Sequence, residues 1–205
     1  MSLQSNSTVN AMPAQRKLVI QMSGVPGSGK STLGKLLGQA IDAIVIDHDL
    51  LRSFFLDNNI PFDQSAKQAY GLQWLLAEDL IKQGRSVVFD STCNYQETLD
   101  RGSALAKQYG YEYKYVECKV NDVDLLDLRL QTRVSLRSQR TGVNKPPVDV
   151  TEARHNEDYR VMFQKWIEKP VRPTSGAIFV DSTNGPENCL EDVLNRIQFE
   201  KLGQH

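Results

Sequence analysis

The chain has 205 residues, 40% of them hydrophobic and 24% charged, an ordinary globular composition that supports one substantial core. A formal net charge of −1 excludes the broad basic field that holds long nucleic acids, so any polyanion contact must be local. Cys93, Cys118 and Cys189 lack CxxC spacing and imply neither a disulfide framework nor a zinc knuckle, and no apolar run approaches the roughly 18 residues of a membrane span. Residues 1–16 are polar, without an acidic side chain, and are expected to form a disordered tail ahead of one domain over 17–205. The cysteine usage fits a reducing compartment, the cytoplasm.

From residue 17 onward, β-branched and aromatic runs alternate with longer helical stretches, the signature of βαβ units on a parallel sheet. Strands are predicted at 17–22, 43–46, 86–89, 113–117 and 177–180. The first runs into Gly24-Val25-Pro26-Gly27-Ser28-Gly29-Lys30-Ser31, which fits GxxxxGK[ST] in full and leads into a helix-forming stretch from Thr32. Glycines let backbone N–H groups converge on an oligophosphate, Lys30 reaches the β- and γ-phosphates, and the Ser31 hydroxyl can ligate Mg²⁺.

The second strand ends in Asp47-His48-Asp49-Leu50-Leu51-Arg52. Carboxylates two apart at the carboxyl end of a strand adjoin the crevice where α/β sheets bind ligands. Asp49 suits a base for an acceptor hydroxyl, Asp47 suits water on Mg²⁺, and Arg52 suits orienting the acceptor; the plain alternative is that both acids cap the next helix. His48 is expected to point away as a bystander. A helix is predicted from near Ser65, with Ala69, Tyr70, Trp74, Ala77 and Ile81 at helical spacing and Gly84 as its stop. Trp74 reads as core, and Phe54, Phe55, Phe62, Tyr70 and Trp74 are equally core residues or walls of an acceptor pocket.

The third strand ends in Asp90, an apolar run followed by an acid. Asp90 can meet Mg²⁺ through water, anchor Arg52 or Arg101, or cap the following helix. Asn94 and Glu97 resemble a capping box opening a helix that ends at Gly110. Residues 122–147 begin acidic and then carry Arg129, Arg133, Arg137, Arg140 and Lys145 before Pro146-Pro147. Spacings of four predict Arg129, Arg133 and Arg137 on one helical face, either a solvated face or an arginine lid closing on transferring phosphates. A final helix is expected from about Pro186.

With these motifs in place, the chain over 17 to about 190 resembles the P-loop kinases grouped with phage polynucleotide kinase, zeta toxins and chloramphenicol phosphotransferase. GVPGSGKST at 24–32 is similar to that family's cradle, DLLR at 49–52 to its DxxR, FDSTCN at 89–94 to its acid-plus-Thr-Asn segment, and LRLQTR at 128–133 to its arginine lid. The resemblance implies an α/β three-layer sandwich of the P-loop NTPase type, with five parallel strands in the order 2-3-1-4-5, an arginine-rich helical lid, and ATP with Mg²⁺. It gives Asp49 the base, Arg52 the acceptor contact and Arg133 the transition-state clamp, with Arg129, Arg137 and Arg140 as rivals for the clamp. Gly24, Pro26, Gly27, Ser28, Gly29, Lys30, Ser31, Thr32, Arg129 and Arg137 fall to the nucleotide, and Ser31, Asp47 and Asp90 to the metal. It also suggests that the 181–185 loop passes near the adenine. The chain lacks the interleaved aromatic and basic residues that track single strands, which favours a small or nucleoside-like alcohol over a polynucleotide 5′-hydroxyl. A nucleotide-gated binding protein is the reading from another class.

Overall fold

The computed structural model describes residues 16–150 and 158–199, so residues 1–15 of the expected tail lie outside the described part. Five strands, β1 (Leu18–Ser23), β2 (Ala43–Asp47), β3 (Ser86–Asp90), β4 (Glu112–Lys119) and β5 (Ala177–Asp181), form one sheet in the order β2-β3-β1-β4-β5. Every pairing is parallel, with Val19 opposite Val87 and Tyr113, and Asp47 opposite Asp90. Each predicted strand is present within one or two residues of its expected ends, and the central strands β1 and β3 are buried at every position, as continuous apolar runs demand of strands covered on both faces.

Among the described residues, seven helices accompany the sheet: α1 (Lys30–Ala40), α2 (His48–Asp57), α3 (Phe62–Lys82), α4 (Gln96–Gln108), α5 (Val123–Thr132), α6 (Tyr159–Glu168) and α7 (Pro186–Phe199). Strand alternation sorts β1 into two cores. Leu18, Ile20 and Met22 face one side and pack with Leu33 and Leu37 of α1 and Val193 and Ile197 of α7. Val19 faces the other side with Trp74, Ala77 and Ile81 of α3, Phe89 of β3 and Ala106 of α4. Trp74 is core, its ring 4.6 Å from that of Phe89. A third cluster, Leu126 and Leu130 of α5 with Val143, Tyr159 and Phe163, carries the segments above the strand ends.

Local chemistry moves three helix boundaries from their predicted places. Pro61, with φ −54° and ψ 147°, starts α3 at Phe62, three residues ahead of Ser65, whose hydroxyl instead donates to the Phe62 carbonyl at 2.7 Å. The Asn94 capping box does not form: α4 opens at Gln96 behind Tyr95 without a side-chain cap, and the Asn94 amide turns to Thr92 Oγ1 at 3.4 Å. α5 is capped by Asp122, which accepts from the amides of Asp124 and Leu125 at 2.8 and 3.1 Å, and it stops at Thr132.

That stop corrects the expected arginine face. Arg133 is already extended, with φ −79° and ψ 153°, so Arg129, Arg133 and Arg137 do not share one side of a helix. Like charges stacked at intervals of four repel, and the extended path gives each arginine its own oxygen partners instead.

Candidate active site

The loop between β1 and α1 turns at three glycines of positive φ: Gly24 (132°), Gly27 (86°) and Gly29 (91°). Gly24 has no alternative, since a Cβ there would stand 2.4 Å from Ser28 Oγ and 2.6 Å from the Cys118 carbonyl oxygen. Ser28 N donates to the Val25 carbonyl at 3.0 Å and Leu33 N to that of Gly29 at 3.0 Å, which closes the loop and begins α1. Lys30 is buried at the first turn of α1, Ser31 is half-buried beside it, and Thr32 is exposed. The predicted cradle is thus an anion nest at a helix N-terminus.

A cleft of about 520 Å³ opens over this loop at the carboxyl ends of the central strands. Gly24, Pro26, Lys30, Asp49, Arg52 and Arg133 all line it. Asp49 and Arg52 lie one turn apart on α2, which begins directly after β2 and therefore leans over the strand ends. Arg52 is held by Ser65 Oγ at 3.3 Å and the Phe62 carbonyl at 3.1 Å, its guanidinium 3.8 Å from the Phe62 ring centre. Asp49 Oδ2 accepts from Gln139 Nε2 at 2.9 Å.

Asp47 caps α2 by accepting from Leu50 N at 3.1 Å, and its pKa is raised, chiefly by burial. Its cross-strand neighbour Asp90 is 3% exposed, and neither of its oxygens completes a hydrogen bond of ordinary geometry. Burial lifts the Asp90 pKa to about 6 against the pull of Lys30 and of Ser31 beside it, while Asp47 pushes it further up. Two of the alternatives for Asp90 fail. It anchors neither Arg52 nor Arg101, which lies 5.0 Å above the Trp74 ring, and α4 starts too late for it to be a cap.

His48 is not the bystander expected from strand alternation, because it is already the first residue of α2. It lines the cleft, its ring 4.0 Å from that of Tyr70, and burial lowers its pKa to about 4. Phe62 and Tyr70 also line the cleft, whereas Phe54 faces solvent on the outer side of α2, Phe55 does not reach the cleft and Trp74 is core. Burial pushes the Cys93 thiol up to about 12, an inert thiol rather than a nucleophile.

The arginines have separate positions. Arg129 donates to the Ser182 carbonyl at 2.9 Å and to the Gly27 carbonyl at 3.5 Å, bracing the cradle against the loop after β5. Ser182 Oγ in turn donates to the Ser28 carbonyl. Arg133 turns into the cleft, where burial depresses its pKa while Asp49, Asp47 and Asp90 favour its charge. Arg137 is corrected as a nucleotide contact: it is paired with Asp149 at 2.7 Å and Asp57 at 3.3 Å and does not line the cleft.

Several cleft residues carry no motif. The far wall comprises Tyr159, Met162 and Trp166 of α6 with Pro170 and Val171. Glu117, 4% exposed at the end of β4, is gripped by Arg172 at 2.7 Å on both oxygens. The recurrence of Tyr159, Met162, Phe163 and Trp166 at helical spacing was the available sign of α6. Among the described residues, no cluster of three or more His, Cys, Asp or Glu is arranged to hold a metal, and no helix is long and apolar enough to cross a membrane.

The cradle, the sheet order and the cleft at the strand ends define a P-loop NTPase fold of the α/β class. Residues 19–157 match the AAA domain family AAA_33, and the chain belongs to that family. No curated protein sequence matches it. Solved structures share the fold at low identity. A Chloroflexus aurantiacus j-10-fl protein described as a candidate kinase is 16% identical with a TM-score of 0.64, covering 89% of this chain and 98% of its own. The Mycobacterium tuberculosis APS kinase CysC in complex with AMPPNP and APS is 16% identical with a TM-score of 0.59, over 91% and 99% of the two chains. A gluconokinase from Sinorhizobium meliloti 1021 is 15% identical with a TM-score of 0.58, over 91% and 97%.

Proposed function

We propose that the chain is an ATP-dependent kinase that moves the γ-phosphoryl group to a hydroxyl of a small-molecule or nucleoside-like acceptor, with chemistry resembling the polynucleotide kinase and zeta toxin group. The observation that carries this reading is the shared cleft. A carboxylate and an arginine one turn apart on α2 face the same space as the cradle lysine and Arg133. A motor or a switch needs the cradle but has no use for a base and an acceptor-orienting arginine beside it.

Asp49 takes the acceptor proton as the acceptor oxygen bonds to Pγ; the bond from Pγ to the β,γ-bridging oxygen breaks, and its electron pair leaves on ADP. Lys30 and the loop amides hold the β- and γ-phosphates, and Arg133 stabilises charge on the transferring group, a role typically worth about 10³–10⁵ in rate. Arg129 holds the cradle and the Ser182 loop in one piece beside the nucleotide. Ser31 and the two unsatisfied Asp90 oxygens fit a Mg²⁺ that keeps most of its waters, with Asp47 behind them. When bound, that ion would neutralise charge between the β- and γ-phosphates. Three free, buried cysteines accord with the cytoplasm as its location.

The test is transfer of labelled γ-phosphate from Mg-ATP to a panel of sugars, nucleosides, amino alcohols and 5′-hydroxyl oligonucleotides. Transfer to a small alcohol that falls at least about a hundredfold in Asp49→Asn, with nucleotide affinity nearly unchanged, is the expected result. Transfer to oligonucleotides alone, with steep salt dependence, would replace the acceptor class. No transfer to any member, with slow hydrolysis only, would leave a nucleotide-gated protein instead.

A further inference from the structure

Three consecutive residues, Ser138-Gln139-Arg140, run across the cleft from one wall to the other. On the α2 side, Ser138 Oγ donates to the Asp49 carbonyl at 2.8 Å and Ser138 N donates to Ser53 Oγ at 3.0 Å. Gln139 Nε2 donates to Asp49 Oδ2 at 2.9 Å. On the α6 side, the Arg140 guanidinium sits 4.4 Å from the centre of the Tyr159 ring and 5.6 and 6.0 Å from those of Phe163 and Trp166. Its backbone carbonyl accepts from Arg133 at 3.0 Å. One short strap therefore holds Asp49 by a side-chain amide and Arg133 by a backbone oxygen, and it is fastened at both walls.

We infer that Gln139 is a positioning residue: by binding Asp49 Oδ2 it fixes the carboxylate so that Oδ1 faces the acceptor hydroxyl, in register with Arg133 across the cleft. The inference rests on the base reading of Asp49 given above. An aspartate carboxylate rotates about two side-chain bonds, and a misplacement of about 1 Å in a reacting group costs about a hundredfold in rate. The Gln139 side chain bonds Asp49 Oδ2 and Leu136 N rather than the cradle loop, so its effect belongs to the chemical step and not to nucleotide binding. The proton still passes to Asp49; Gln139 neither gains nor loses one.

The test uses the full chain with Mg-ATP and water as the acceptor, following phosphate release in a single turnover. Gln139→Met keeps the side-chain volume and removes the donor, and Gln139→Ala serves as a second variant. Both are expected to slow release about tenfold to a hundredfold with the half-saturating Mg-ATP concentration within about twofold of the parent. In an Asp49→Asn background, Gln139→Met should add no further loss, because the two residues act as one unit. A wild-type rate in both Gln139 variants alongside a slow Asp49→Asn sinks the positioning role and leaves the base standing. Independent, multiplying losses in the double variant reduce Gln139 to a structural contact and also overturn the inference. An Asp49→Asn enzyme of undiminished rate removes the base, and the positioning role falls with it.

Discussion

Asp90 is a buried carboxylate, 3% exposed, that completes no hydrogen bond of ordinary geometry, and Asp90→Asn measures what that arrangement does to the fold. Its pKa is raised from 3.8 to about 6 by burial first, with the Lys30 attraction already included. At about 1.4 kcal/mol for each tenfold change in proton affinity, the charged form destabilises the native state by about 3 kcal/mol. The sign follows from proton counts. Between about pH 4 and 6 the native state holds the Asp90 proton more tightly than the unfolded chain, so this group's contribution to stability is lost as pH rises through that window. The penalty is complete above pH 6 and absent below pH 4.

Asp90→Asn removes the charge and keeps the shape. In EDTA at pH 7 the variant should therefore be more stable by about 1–3 kcal/mol, the lower figure allowing for the amide's own unmet hydrogen bonds. For a domain of this size that is about 2–4 °C in Tm per kcal/mol. The advantage should shrink towards zero by pH 4, and it should reverse in Mg-ATP, which stabilises the parent in proportion to RT ln(1 + [L]/Kd) and the variant less. Urea unfolding at pH 4, 5, 6 and 7, with and without Mg-ATP, gives all three results. An Asp90→Asn protein that is less stable than the parent in EDTA at pH 7, or equally advantaged at pH 4 and pH 7, refutes the account of a carboxylate whose burial destabilises the charged form.

His48 titrates with the opposite consequence. Burial lowers its pKa from 6.5 to about 4, so its contribution of about 3 kcal/mol is present above pH 6.5 and is lost as pH falls towards 4. In the Asp90→Asn background, where no opposing slope remains from that carboxylate, urea unfolding should show this decline, and His48→Asn should flatten it. Gly24→Ala puts a Cβ on Ser28 Oγ and the Cys118 carbonyl at a φ of 132°, and calorimetry should record a loss of Mg-ATP affinity of about tenfold or more. Arg172→Ala strands Glu117, 4% exposed, beside the Tyr115 hydroxyl. Because Arg172 is itself a third exposed, thermal unfolding should show a loss of about 1–3 kcal/mol, most of it recovered when Glu117→Gln and Arg172→Met are combined.

The sheet and the cradle were legible because their signals are local. A strand buried on both faces needs a continuous apolar run, as in Leu18-Val19-Ile20, and the phosphate loop needs its glycines in fixed positions. Helix ends were read less well, since α3 begins behind Pro61 rather than near Ser65, and α4 opens behind Tyr95 rather than on the Asn94 capping box. The arginine run misled for a different reason. Its spacing satisfies a helical face, but what decides the backbone is where oxygens lie in space: Asp57 and Asp149 for Arg137, and Ser182 and Gly27 for Arg129. None of those partners is encoded near the arginine it binds.

The same asymmetry explains why the cleft's chemistry was easier to read than its shape. Lys30 opens the helix after β1, Asp49 lies in the first turn after β2 and Asp90 ends β3, and a parallel sheet brings the carboxyl ends of its strands together whatever loops join them, so their proximity is a consequence of topology. The far wall has no such guarantee. Tyr159, Met162 and Trp166 reach the cleft on a helix that packs through Phe163 on Leu126 and Leu130 of α5, with the Arg140 guanidinium among the α6 rings. On the proposed kinase reading, an acceptor meets two kinds of surface: a reacting edge set by the sheet, and a wall held by packing on α5 and by the Arg140 guanidinium. On that same reading, substitutions at Phe163 should alter which alcohol fits while leaving the cradle able to bind nucleotide.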